Sequence, residues 1–155
     1  MIVSILEKIR DTIALDAAIE SFCQSNFSKS ITVFLGKDTK DLPSPDSGDY
    51  PIALIHGVSR AFKGEKDSQI IYEVSIGAGI TSETITIGAK TKTYNGFLFA
   101  ENLRELIEAS LLTANFPGAV GVTGDSIQEQ LFPVFVSFTN LEIIMRKNYQ
   151  KPIGR

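Results

Sequence analysis

The chain has 155 residues, 43% of them apolar and 21% charged, with a net charge of −3. That length suffices for one domain burying roughly 68–70% of its unfolded surface, with no need of disulfides or a structural metal. The negative balance argues against specific or general nucleic-acid binding, which sets many cations against phosphates. Cys23 is the lone cysteine, so an internal disulfide is excluded and a cytosolic history is expected.

From the N-terminus, Ile2, Ile5, Leu6, Ile9 and Ile13 recur at helical spacing with Glu7, Lys8 and Asp11 opposite them. Those charges interrupt any signal-peptide core, and no run approaches 18 apolar residues, so no membrane span is expected. The stripe breaks near Leu15, and Asp16 is placed to cap a second short helix over AAIESFCQ, ended by Asn26 and Ser28. SITVFL (30–35) reads as a strand, and GKDTKDLPSPDSGD (36–49) as a long loop stiffened by Pro43 and Pro45. PIALIHGVSRAF (51–62) and QIIYEVSIGAGI (69–80) form a predicted hairpin around the turn GEKD, the second strand apolar on both faces over its first half. SETITIGAKTKTY (82–94) is a more polar extended run. NGFLFAENLRELIEASLLTANF (95–116) is a second strong helix with Phe99, Leu103, Leu106, Ile107 and Leu111 on its apolar face, stopped by Pro117-Gly118. FPVFVSFTNLEIIMR (132–146) is strongly β, with a bend or bulge expected at Thr139-Asn140. A short basic tail follows at 147–155. The order predicts a single α+β domain over 1–155, an antiparallel or mixed sheet packed against two main helices.

Chemistry-bearing patterns are sparse. His56 is the only histidine, which removes two-histidine metal motifs; it reads as a strand residue at the core edge in preference to a lone general base. Cys23 lies on an apolar helical stripe, the place of a small buried hydrophobe more than of a thiol nucleophile paired with His56. Gly77 and Gly79 lack the third glycine of a dinucleotide fingerprint, IGAKT lacks the adjacent Gly-Lys of a phosphate loop, and GVTGDS (121–126) reads as a turn without nucleophile-elbow spacing. Asp38, Asp41, Asp46 and Asp49 are spaced unlike a calcium loop and are interleaved with Lys37 and Lys40. No catalytic, cofactor or metal residues are assigned. A loop this long without catalytic neighbours points to binding another protein.

In order of elements, the chain resembles the tail-terminator (tail-completion) proteins of long-tailed bacteriophages and prophages. The resemblance rests on ILEKIRDTIALDAAIESF followed by ITVFLG, the proline-bearing loop into DYPIALIHGVS, the strand IIYEVSIGAGI, the helix ENLRELIEASLL and the closing FPVFVSFTNLEIIM. It implies a subunit without an active site that forms a homo-oligomeric ring, commonly a hexamer. Such a ring caps the tail tube and meets the head-tail connector protein, in the virion tail and, during assembly, in the bacterial cytoplasm. A related neck protein has the same implied architecture; a small protein-binding adaptor and a Cys/His enzyme are the alternatives from other classes. On the ring reading, the loop residues Asp38, Lys40, Asp41, Pro43, Pro45, Asp46 and Asp49 are candidate interface residues. Lys90 and Lys92 are a candidate basic patch for them to meet on a neighbour.

Overall fold

The computed structural model describes residues 1–146; the basic tail at 147–155 lies outside the described residues. Two helices, α1 (Ile2–Leu15) and α2 (Ala17–Phe27), precede strands β1 (Thr32–Leu35), β2 (Ile52–Lys63) and β3 (Gln69–Thr81). The short strands β4 (Ile85–Ile87) and β5 (Lys92–Tyr94) lead into helix α3 (Asn95–Thr113), and β6 (Ala119–Leu131) and β7 (Val134–Arg146) complete the fold. Five strands form one sheet in the order β1-β2-β3-β7-β6, while β4 and β5 pair only with each other. The β1–β2 pair is parallel and the other pairs are antiparallel, so the α+β architecture has a mixed sheet.

The helices take one face of this sheet. Ile5, Ile9 and Ile13 of α1, Ile19 and Cys23 of α2, and Leu103, Ile107 and Leu111 of α3 are buried. Each of the large aliphatic side chains among them contributes about 1.5–3 kcal/mol by leaving water. The break after Leu15 is a true helix end: Asp16 is extended, and its Oδ1 accepts from the Ile19 amide at 2.9 Å, satisfying a free donor of α2. Ser28 closes α2 in the left-handed conformation at φ 53°.

α3 lies across β3 and β7. Gly96 makes that approach possible, because an added Cβ there would stand 2.3 Å from the buried Phe135 ring. The role of a glycine at this first turn is thus to admit the ring against the helix. One turn along, a polar cluster ties α3 to the sheet. Glu101 accepts from the Ser137 hydroxyl at 2.8 Å, the Gln128 amide at 3.0 Å and the Arg104 guanidinium at 2.8 Å, and Arg104 also pairs with Glu108.

Three expectations change. Residues 119–131, read in part as a turn at GVTGDS, form the full edge strand β6. The irregularity expected in β7 at Thr139-Asn140 lies in β6, where register slips between Thr123 and Ile127. β7 pairs with β3 without interruption; Phe135, Ser137, Thr139, Leu141, Ile143 and Met145 all bury toward the helices. The apparent change of parity arises because Val134 and Val136 are also buried, on the opposite face. Likewise, β3 is buried on both faces over Ile76–Ile80, not over its first half.

Two measurements probe this packing. Gly96→Ala should lower stability, because overpacking against Phe135 costs about 1–3 kcal/mol and exceeds the helix-propensity gain of at most about 1 kcal/mol; a denaturant midpoint equal to or above the parent's would contradict it. Burial pushes the Glu101 carboxyl up, but hydrogen bonds from Arg104 and Ser137, the Arg104 charge and Gln128 outweigh it, holding it below the ordinary carboxylate range. A depressed carboxyl gives stability present above its unfolded pKa and lost as pH falls through its folded one. The stability gap between parent and Glu101→Gln should therefore be widest near neutrality and narrow in acid, as followed by urea unfolding at a series of pH values.

Candidate protein-interaction surface

The parallel pairing of β1 and β2 sets the course of the long loop. Thr32 pairs with Ile52 and Leu35 with Ile55, so after Leu35 the chain must return to the start level of β1 before β2 begins. A parallel connection of this kind takes a dozen or more residues and usually carries a helix. Here residues 36–51 make it without one, on the face opposite the three helices. Leu42 and Tyr50 pack there with Phe34, Ile52, Leu54, Val134, Val136 and Phe138 as a second, smaller core.

Glycines flatten the sheet beneath this cover. A Cβ on Gly77 would come within 3.0 Å of Phe138, and one on Gly79 within 2.8 Å of Ile52. The two glycines that fail as a dinucleotide motif are thus the floor under the crossover. The loop is held by short-range bonds throughout: the Lys40 amide donates to Asp38 Oδ1 at 2.9 Å, the Ser47 amide to the Ser44 carbonyl at 2.9 Å, and the Tyr50 hydroxyl to the Pro43 carbonyl at 2.9 Å. Lys37 approaches Asp41 at 3.5 Å and sits over the Phe34 ring.

The predicted interface residues divide accordingly. Asp38, Lys40, Asp41, Pro45 and Asp46 are exposed, whereas Pro43 and Asp49 are half-buried. Lys90 and Lys92 are exposed on the β4–β5 hairpin, and among the described residues no hydrogen bond or ion pair joins them to the loop. The aspartates do not converge; among the described residues no three acidic, histidine or cysteine side chains gather in metal-binding range.

What sequence reasoning missed lies beside the loop. The β6–β7 turn and the β4–β5 hairpin both expose apolar groups: Leu131 is 73% exposed, Phe132 53%, Ile87 71% and Tyr94 47%. The Tyr94 and Phe132 rings meet edge to face at 5.8 Å, and Phe132 meets Phe135 at 6.2 Å, which joins this surface to the core. Between the β6–β7 turn and residues 39–45 runs a groove of about 620 Å³, walled by Leu42, Pro43 and Pro45 on one side and Leu131, Phe132 and Val134 on the other. Lys40 and Glu129 also line it. The signal was present in Leu131-Phe132-Pro133, but with β6 unrecognised it carried no position.

The two reactive residues face different layers. Cys23 is buried under the helices, and burial, with the nearby Glu20 charge, pushes its thiol up to about 11. His56 bulges from β2 between Ile55 and Gly57, and its ring stands edge-on to Phe138 at 5.4 Å on the opposite face. Burial lowers its pKa against a smaller opposing pull from Asp38, and its Nε2 is buried with no hydrogen-bond partner among the described residues. With the sheet between them, the two do not form a dyad.

The chain matches no protein-family model and no curated protein.

Cys23 should accordingly resist alkylation in the native protein. At pH 8 about one thiol in a thousand is ionised when the pKa is three units higher. Labelling with iodoacetamide should be at least about tenfold slower than in denaturant; equal rates would show that Cys23 is accessible.

Proposed function

We propose that this chain is a ring-forming structural subunit of a bacteriophage or prophage tail, a tail terminator that caps the tail tube and joins it to the head connector. The class of assembly comes from the resemblance in element order. The observation that carries the reading is the exposed apolar end formed by Tyr94, Leu131 and Phe132 beside the acidic crossover loop, with Ile87 exposed on the same hairpin as Tyr94. Contiguous apolar surface rimmed by polar groups marks a place where another protein binds.

A closed ring needs two unlike patches on each copy, one meeting the other on the next. The sheet supports this in having two unlike edges. One is β6. The other is β1, at the opposite end of the strand order, past which β2 runs on after Ile55. The loop's charges add register more than affinity.

Native mass spectrometry and light scattering at micromolar concentration, with and without the tail-tube protein, test this reading. The expected result is a closed homo-oligomer, six copies on the family expectation. Ile87→Lys, at an exposed site, should shift it toward monomer without altering the circular dichroism spectrum. A chain monomeric both alone and with the tube protein would overturn the proposal.

A further inference from the structure

We propose that the groove between residues 39–45 and the β6–β7 turn binds residues 146–155 of a second copy of this chain. The inference rests on the self-assembly part of the reading above and gives one of its contacts an identity.

The groove states what its occupant must offer. Its walls are apolar and rich in proline and aromatic surface, which suits a short extended segment bearing a few apolar side chains. Its surroundings are acidic. Four aspartates and two lysines give the 36–49 loop a formal charge of −2, and Glu129 on the facing wall brings this to −3. Lys37 is already engaged by Asp41 and the Phe34 ring, and Lys40 is the one cation in the lining.

The segment RKNYQKPIGR (146–155) has the complementary composition. Arg146, Lys147, Lys151 and Arg155 carry four positive charges without an acidic residue among them, and Tyr149, Pro152 and Ile153 lie between the charges. Tyr149 and Ile153 are anchors of the size the apolar walls accept, and the cations meet the aspartates at the rim.

Reach decides that the donor is another copy. β7 leaves the groove at Val134 and ends at Arg146, twelve residues along the strand, about 40 Å away at roughly 3.3 Å per residue. Ile153 stands seven residues past Arg146 and extends at most about 25 Å from it. A copy therefore cannot fill its own groove with this segment, whereas a neighbour in a head-to-tail arrangement can. The contact joins two unlike parts of the molecule, as a closing ring requires.

The test uses the full chain carrying Lys147→Glu, Lys151→Glu and Arg155→Glu, so that its own tail does not compete. It is titrated with a fluorescently labelled RKNYQKPIGR peptide and followed by anisotropy. Saturable binding is expected, weakening at least about tenfold when Leu131→Glu is added, and several-fold between about 50 mM and about 500 mM salt. Leu131 is 73% exposed, so that substitution leaves the fold intact, as circular dichroism verifies. No saturation below about 1 mM peptide, equal binding of a scrambled peptide, or equal binding by the Leu131→Glu protein would each overturn the proposal. Parallel light scattering on the unaltered chain separates the two claims. A ring former that ignores the peptide loses the contact and keeps the ring; a monomer that binds it keeps the contact and loses the ring.

Discussion

The fold turns on one pairing, the parallel alignment of β1 with β2. Had these strands been antiparallel, a two-residue turn would have served. Parallel, they oblige the chain to travel back across the sheet, and α1, α2 and α3 already occupy one face. The connection crosses the other face, and its length follows from that path. It covers Ile52, Leu54, Val134 and Val136, and its far side forms one wall of the groove. The acidic loop is therefore a piece of the core's roof whose outer surface carries the charges.

Two-sided burial at this end of the sheet also requires thin strands. Gly77 and Gly79 let Ile52 and Phe138 close over β3, while Gly96 lets Phe135 press against α3 from the other side. The aromatic chain Phe135–Phe132–Tyr94 then carries rigidity from the core out to the exposed end. A surface held in this way has little conformational entropy left to lose, and preorganisation of that kind improves affinity in protein contacts generally without adding contact area. Polar chemistry is placed differently. The Glu101–Arg104–Ser137 cluster fastens α3 to β7 at a partly buried position and is structural.

Helical periodicity made α1 and α3 legible from sequence, and the Asp16 cap followed from a local rule. The strands were harder where burial is two-sided. Val134, Phe135, Val136 and Ser137 are all buried, which erases the alternation that fixes a strand's faces. β6 was missed because its apolar residues are few: Gly121, Thr123, Gly124, Asp125 and Ser126 read as turn chemistry, yet the stretches on either side, 119–123 and 127–131, pair with β7 and make one strand of the segment. The loop's residues were visible from the start, but its partner across the groove was not. That juxtaposition depends on strand order, which local pattern does not encode.

The register slip in β6 has a bearing on solubility. Between Thr123 and Ile127 this strand advances four residues while β7 advances two, and such an insertion twists a strand and spoils its outer row of amides and carbonyls as a template. An edge thirteen residues long would otherwise invite open-ended stacking of copies into fibrils. The irregular stretch leaves only short straight pieces on either side. Chains concentrated in one place are thereby steered away from unlimited edge-to-edge growth through a long straight strand.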